Sequence, residues 1–418
     1  MEYTTLNTGN TAWMIVATIL VLLMSIPGIA LFYGGLVRQK NVLSVIMQTM
    51  LIVGVVSLLW VAIGYTWAFG TGFKESGSPM WFFMGGLDKA FLHGVSVNSL
   101  TATGIPELTF AMFQCMFALI TPALILGAFA ERIKFKGYMV FTILWVVIVY
   151  FPMAHWVWGG GFLQQMGAID FAGGTVVHIN AGISALVMCL MIGGRDDYMK
   201  GHAILPHNVT TVFMGTSFLW LGWFGFNAGS GLAADGIAAN ALLVTHVAAA
   251  AAAVTWMIID WTCNKKPTTV GACTGAVAGL VAITPAAGST DLVGAFAIGI
   301  ITPIICFIMV AVVKPYFKYD DALDAFGVHG MGGIIGSILT GVFATRTVTG
   351  ANGVEGALYG DWHQLGIQIL ATLISIVFSA VVTYILYVLV DNTIGMRVCR
   401  RVEEEGLDIY EHGESAYN

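Results

Sequence analysis

Long apolar stretches separated by short polar connectors dominate this chain. A helix that crosses a membrane needs about 20 predominantly apolar residues. Stretches of about that length recur along the sequence, and we predict membrane-spanning helices at 12–37, 42–69, 107–130, 137–157, 172–193, 209–228, 238–261, 269–286, 291–313, 328–345 and 363–390. The pattern therefore predicts an all-α integral membrane protein with eleven transmembrane helices.

Composition agrees with one membrane domain followed by a polar tail. Hydrophobic residues make up 58% of the 418 residues, and charged residues only 10%, whereas soluble domains are about 25% charged. Residues 1–390 form the predicted transmembrane domain. Residues 391–418 are polar and acidic, and this tail is open to two interpretations, a disordered solvated segment or a docked regulatory one.

Basic residues are distributed unevenly between the two sets of connectors. The connectors on one side hold fourteen of the seventeen Lys and Arg residues, and the other set holds only Lys74, Lys89 and Arg346. Cytoplasmic loops carry the excess of positive charge in membrane proteins. We therefore predict an outside N-terminus, a cytoplasmic C-terminus and a multi-pass location in the cell membrane.

A short motif occurs once in the fifth predicted span and once in the tenth. The two copies are VHINAGI at 177–183 and VHGMGGI at 328–334, and they share the pattern V-H-x-x-x-G-I. Two halves of five spans each, at about 12–193 and 209–345, must have opposite orientations, with 363–390 as a long final helix. This is the inverted-repeat arrangement, in which a substrate path lies between the halves.

The two histidines of this motif, His178 and His329, are the main candidates for function. One interpretation is a core histidine with a hydrogen-bonded neighbour. The other is a pathway residue, because ionisable groups inside membranes usually mark transport routes and an imidazole both donates and accepts hydrogen bonds. The remaining histidines and the six cysteines lack metal-ligand spacing, so neither a metal nor a cofactor is expected.

Polar and aromatic residues at the outer ends of spans have two interpretations each. Asp170 precedes a predicted helix, as a helix-capping residue does, or it contacts a cation directly. The stretches WVWGGG at 156–161 and WFGFNAGSG at 223–231 fit an interfacial aromatic belt. They equally fit a cation-binding mouth, since ring faces attract cations.

Several longer stretches carry a resemblance to a known family. They are PGIALFYGGLVRQKNVLS (27–44), GAFAERIKF (127–135), HWVWGGG (155–161), DFAGGTVVHINAGISALVMCLMIGGR (170–195), WFGFNAGS (223–230), DAFGVHGMGGIIG (324–336) and EEEGLDIYEHGESAYN (403–418). In this order they resemble the Amt/Mep/Rh ammonium transporter family, and the tail resembles its bacterial and archaeal Amt branch.

The resemblance implies a fold and a set of site residues. The fold is a homotrimer with one pore in each subunit, built from eleven transmembrane helices in a five-plus-five inverted repeat with one final helix. The implied sites are ammonium recruitment at Phe117, Trp158, Ser230 and Asp170, a pore gate at Phe117 and Phe226, and a pore-lining proton relay at His178 and His329.

The function implied is uptake of ammonium, which is deprotonated at the recruitment site and passes the apolar pore as ammonia, with its proton transferred in an electrogenic process. An ammonium receptor with little flux and a channel for neutral ammonia gas are the alternatives. Receptor-type relatives usually carry an added output domain, which is not expected after Asn418. A PII-class signal protein is the expected partner at the cytoplasmic face. Neither enzymatic activity nor nucleic-acid binding is expected.

Overall fold

The computed structural model describes residues 5–417, so residues 1–4 of the predicted domain and Asn418 of the predicted tail lie outside it. Apart from three isolated two-residue bridges, the regular elements of the described part are helical. The main helices are α1 Thr8–Leu36, α2 Gln39–Glu75, α3 Glu107–Phe129, α4 Phe135–Gln165, α5 Gly174–Ile192, α6 Val209–Gly229, α7 Gly236–Asn264, α8 Thr269–Ile283, α9 Leu292–Phe317, α10 Phe326–Phe343 and α11 Trp362–Thr393. A short helix, α12 Arg400–Glu405, lies in the tail.

The prediction of an all-helical membrane protein is confirmed. Within residues 5–417, ten helices are long and apolar enough to cross a membrane. The other predicted span, 269–286, corresponds to α8, which has only 15 residues and ends at Ile283. Pro285 follows two residues later, and a proline has no backbone N–H to continue the helical hydrogen bonds, which accounts for the early end.

Helices α5 and α10 contact each other through glycines. A Cβ atom on Gly182 of α5 would lie 2.1 Å from the backbone nitrogen of Gly330 in α10. A Cβ atom on Gly333 of α10 would lie 2.9 Å from the Cβ of His178 in α5. Each glycine of the repeated motif therefore makes room for the histidine-bearing turn of the opposite helix, which explains why the glycine recurs four residues after the histidine.

The two ends of the helix bundle are called the N-side and the C-side below. At the N-side, the Asn10 side chain near the start of α1 donates to the carbonyl of Thr103 at 3.0 Å and accepts from the backbone of Ala234 at 3.0 Å. At the C-side, the backbone N–H of Lys134 donates to the carbonyl of Met396 at 2.8 Å. The start of α1 thus lies at one face and the segment after α11 at the other, with α3 running from Glu107 near the first to Phe129 near the second.

The tail packs against the C-side. The Asp408 carboxylate accepts hydrogen bonds from the backbone N–H groups of Leu43 and Ser44, at 3.0 and 2.8 Å, near the start of α2. The Arg397 guanidinium donates to the carbonyls of Ile192, at the end of α5, and Gly194, just beyond it. These contacts favour the docked interpretation of this segment over the solvated one.

A buried ionic cluster joins the C-side connectors. The Arg195 guanidinium lies 2.9 Å from the Glu131 carboxylate and 2.8 Å from the Asp320 carboxylate, and Arg38 lies 2.9 Å from Glu131. Burial alone would raise the pKa of Glu131, but the charges of Arg195 and Arg38 and the backbone N–H of Arg38 hold this pKa below its ordinary value. Glu131 therefore stays ionised and links the connectors that follow α1, α3 and α5.

Candidate functional site

An aromatic cavity of about 170 Å³ opens at the N-side, and three of the predicted recruitment residues, Phe117, Trp158 and Ser230, line it. The Trp158 ring meets the Phe117 ring edge-on, with centroids 5.6 Å apart. The Ser230 hydroxyl donates to the carbonyl of Phe226 at 2.8 Å. Because that contact uses the hydroxyl proton, the Ser230 oxygen remains an acceptor for an N–H donor in the cavity.

Phe117, at the wall of this cavity, forms a stacked pair with Phe226. The rings of Phe117 and Phe226 are 4.3 Å apart with an interplanar angle of 27°. Both side chains are almost completely buried. Phe117 comes from α3 and Phe226 from α6, so the contact between the rings closes an apolar constriction between two helices.

The two histidines follow directly beyond the phenylalanine pair. The His178 ring lies 6.1 Å from Phe226 and 5.4 Å from the parallel Trp223 ring. The His329 ring stacks on His178 at 5.4 Å with an interplanar angle of 14°. Among the described residues, neither nitrogen of His178 and not the Nδ1 of His329 has a hydrogen-bond partner. The core-histidine interpretation needs such a neighbour at His178, and the structure places none there.

A second cavity, of about 230 Å³, lies on the C-side, with His329 and Val328 at its wall. Tyr33 and the ion-paired Lys314 and Asp324 also line it. The site is thus a row of residues, called the file below, that runs from the N-side cavity through the phenylalanine pair and the two imidazoles to the C-side cavity. Buried polar groups normally have partners, so the free nitrogens in this file are suited to a small hydrogen-bonding molecule.

Local backbone structure positions each histidine in the same way. His178 lies in a wide, π-type first turn of α5, at Gly174–Ile179, and His329 lies in the equivalent turn of α10, at Phe326–Gly330. Such turns are frequent at functional sites. The wide turns lie where the two helices make close contact, and they bring the two imidazoles near each other in nearly parallel planes.

An aspartate precedes each of these turns. The Asp170 carboxylate accepts hydrogen bonds from the four consecutive N–H groups of residues 173–176, at 2.6–3.0 Å. The Asp321 carboxylate accepts from residues 325–327, at 2.8–3.2 Å. Sequence reasoning identified only Asp170. The spacing contained the missing signal, because each aspartate comes eight residues before its histidine.

Asp170 is not among the residues that line the N-side cavity. Its carboxylate is occupied by the backbone of α5, and its carbonyl accepts a hydrogen bond from the Trp158 indole at 2.8 Å. Of the four predicted recruitment residues, the structure therefore brings three together at the cavity. It places the fourth behind Trp158, where it fixes the indole and the start of α5.

Comparisons with known proteins identify the family of this chain. The family model for the ammonium transporter family matches residues 12–417. An ammonium transporter of Aquifex aeolicus is 49% identical over 415 residues, which cover 99% of this chain and 94% of the relative. The crystal structure of Saccharomyces cerevisiae Mep2 is 38% identical, with a TM-score of 0.86 over 94% of this chain and 88% of that one. A solved structure described as a sensor Amt protein is 32% identical, with a TM-score of 0.86 over 97% of this chain and 98% of that one. This chain belongs to the ammonium transporter family.

Proposed function

We propose that this protein recruits ammonium in the N-side cavity and conducts it, as ammonia with a separately transferred proton, to the C-side cavity. The observation that carries the proposal is the file of residues between the cavities. Aromatic rings and a hydroxyl oxygen come first, an apolar constriction follows, and two stacked imidazoles with free nitrogens complete the file.

Recruitment selects ammonium by its hydrogen bonds as well as its charge. Ring faces attract a desolvated cation by about 2 kcal/mol or more, and Phe117 and Trp158 supply such rings. Size does not separate ammonium from potassium, which is close to it in radius. Ammonium also donates an N–H to the Ser230 oxygen, whereas potassium has no proton to donate, so the site favours ammonium.

The constriction then selects the neutral form. An unpaired ion in an apolar environment is very costly, whereas a small neutral molecule is not. Ammonium therefore gives a proton to water in the N-side cavity before it passes Phe117 and Phe226, whereas potassium has no proton to give. Beyond the rings, ammonia hydrogen-bonds to the free nitrogens of His178 and His329. Imidazoles transfer protons between their two nitrogens. No hydrogen bond joins the His178 ring to a described residue, so water or ammonia beside the rings carries the proton to His178 and from it to His329, and net transport is electrogenic.

The same proposal extends to the architecture. Termini on opposite faces require an odd number of crossings, so α8 is the eleventh span, added to the ten longer ones. The Lys- and Arg-rich connectors lie on the tail side, which supports a cytoplasmic C-side in the cell membrane. The halves at 12–193 and 209–345 form the inverted repeat, with 363–390 as the final helix of domain 1–390. The homotrimer rests on the family resemblance.

The tail, residues 391–418, is proposed as a cytoplasmic regulatory element. Its contacts with α2 and with the segment after α5 place it beside the C-side cavity residue Arg195. A PII-class protein that binds this face would cover the exit of the file. The docked tail gives such a partner a structured surface.

The likeness to a sensor Amt protein supports a second candidate, an ammonium receptor with little flux. A channel for neutral ammonia is the third. An enzyme is not proposed, and the described residues contain no cluster of three or more His, Cys, Asp or Glu side chains that could hold a metal ion.

Purified protein in liposomes distinguishes these candidates. An ammonium concentration jump is applied while membrane current and lumenal pH are recorded, with a potassium jump and protein-free liposomes as controls. The proposal expects a saturable current for ammonium and none for potassium. A rapid rise in lumenal pH without current would establish a neutral gas channel. Ammonium binding with neither signal would establish a receptor.

A further inference from the structure

A seam of polar side chains joins α11 to α5 in the interior of the molecule. Three contacts join residues that are each 199 positions apart in the sequence, namely Gln368 with Ile169, Ser379 with Asn180, and Thr383 with Ser184. Their donor and acceptor atoms lie 2.7–2.8 Å apart. Because the separation is constant, α11 runs parallel to α5 and in a fixed register, from just before the start of α5 to beyond its middle.

The middle contact of this seam lies beside a histidine of the file. The Ser379 Oγ donates to the Asn180 Oδ1, and the Asn180 Nδ2 donates to the carbonyl of Val176 at 3.3 Å. Both polar side chains are fully buried. Val176 is two residues before His178 and Asn180 is two residues after it, so this chain of hydrogen bonds spans the wide turn that carries the imidazole.

The asparagine and the histidine use opposite sides of α5. Residues two apart are separated by about 200° around a helix, so the Asn180 side chain reaches α11 while the His178 ring belongs to the file. On the side of α10, a Cβ atom on Gly333 would lie 2.9 Å from the Cβ of His178. The turn is therefore held between α10 and α11.

Ser379 uses its hydroxyl differently from the serine one turn earlier on α11. A serine in a helix can donate to the carbonyl four residues before it, and Ser375 does so with Ala371 at 2.8 Å. The Ser379 hydroxyl leaves its own helix and donates to Asn180. In the repeated motif the position equivalent to Asn180 is Met331, which has no amide, so the same hydrogen bonds cannot form at the turn of α10.

We infer that Ser379 is a positioning residue for His178 and that it acts through Asn180. Its hydroxyl fixes the orientation of the Asn180 amide, and the amide holds the wide first turn of α5. That turn sets the distance of His178 from Phe226 and from His329. Without the hydroxyl, the buried amide oxygen loses its partner, which is costly, and the turn loses its support. The role in conduction rests on the proposed function, whereas the placement of His178 does not.

Solid-state NMR of the full-length protein in liposomes tests the placement of His178. Histidine labelled with ¹³C and isoleucine labelled with ¹⁵N identify this residue, because His178 is the one histidine of the sequence that isoleucine follows. Ser375→Ala is the matched control for Ser379→Ala, since Ser375 is equally buried on the same helix and its hydroxyl contacts Ala371 and the Met153 sulfur rather than α5. We expect the His178 ring-carbon signals to shift in Ser379→Ala and to stay in place in the control. Unshifted signals in Ser379→Ala, or equal shifts in both variants, would overturn the inference.

Ammonium currents in liposomes test the functional role. The half-saturation concentration reports on the N-side cavity, and none of the described residues that line this cavity belongs to α11. The maximal current reports on the file. In Ser379→Ala we expect the maximal current to fall by about two- to tenfold, the range that one neutral hydrogen bond corresponds to, with the half-saturation concentration unchanged. An unchanged maximal current, or an equal fall in Ser375→Ala, would overturn the positioning role.

The variant Asn180→Ala tests the route between the two residues. If Ser379 acts through Asn180, Ser379→Ala should reduce the maximal current no further in the Asn180→Ala background, and a further independent fall would overturn that route. The same cycle can be read from the His178 signals, which need no current. A wild type that gives the His178 shifts but no ammonium current would refute the transport proposal alone.

Discussion

Replacement of Asp170 by asparagine tests how the histidine-bearing turn of α5 is held. The carboxylate accepts from Gly173 and Gly174 through Oδ1 and from Thr175 and Val176 through Oδ2. Asparagine keeps one carbonyl oxygen and replaces the other oxygen with an NH₂ group. Two of the four N–H groups would then face a donor instead of an acceptor, in a site that is almost fully buried.

The cost follows from the number of bonds lost. A hydrogen bond to a charged group contributes about 1.5–3 kcal/mol, so the loss of two corresponds to about 3–6 kcal/mol of local stability. Since about 1.4 kcal/mol is a factor of ten, amide hydrogen exchange at residues 173–176 should accelerate by about 10²–10⁴-fold. Mass spectrometry of a peptide covering 171–178 measures this in Asp170→Asn.

Asp291→Asn is the matched control, because the Asp291 carboxylate caps α9 through Gly294, with a single N–H at 3.1 Å. Asparagine retains an oxygen for that bond, so exchange there should change by less than about tenfold. Unchanged exchange at residues 173–176 in Asp170→Asn would refute the reasoning. An equal acceleration in every helix would also refute it, because it would indicate global unfolding rather than the release of one turn.

Three further substitutions have definite expected outcomes. Gly182→Ala should lower the thermal unfolding temperature, because the added Cβ has no space against Gly330. The control Gly366→Ala should not lower it, because Gly366 has open space around it. Equal unfolding temperatures for the two variants would contradict the close contact between α5 and α10. Phe226→Ala should admit potassium, since it removes half of the ring stack, and a potassium jump that gives no current would count against the constriction. Glu131→Gln should lower the unfolding temperature at neutral pH, because the native pKa of this carboxyl is held below its ordinary value. Because the native pKa is lowered, the carboxylate's contribution to stability is complete above the unfolded-state pKa of about 4.3 and is lost as the pH falls through the native pKa. The unfolding temperatures of wild type and variant should therefore converge in acid. A temperature difference that grows in acid would contradict the assignment.

The helices were predictable from the sequence because their signal is local. An apolar run long enough to span a membrane identifies most of the eleven helices to within a few residues. The continuous helix of α4 ends at Trp158, one residue from the predicted end at 157, and the turn Phe162–Gln165 follows only after the non-helical residues 159–161. The early end of α8 at Ile283 required attention to Pro285 rather than to hydropathy.

Contacts between segments that are distant in the sequence were harder to predict from it. The family resemblance pointed to Phe117 and Phe226, but their stacking depends on how α3 and α6 pack, which no local pattern reports. The docked tail depends on Asp408 reaching the start of α2, across more than 360 residues of chain. Asp321 was detectable, since its spacing to His329 repeats that of Asp170 to His178.

The most direct test of the account compares His178→Ala and His329→Ala with the wild type in liposomes, with current and lumenal pH recorded during ammonium and potassium jumps. His246→Ala is the control, because His246 is exposed on the face of α7 and lies away from the file. We predict a saturable ammonium current in the wild type and the control. In both pore variants that current should be lost, or the pore should become permeable to potassium. Wild-type ammonium currents that persist in both pore variants with potassium still excluded would contradict the central claim that the two histidines carry the proton and enforce selectivity.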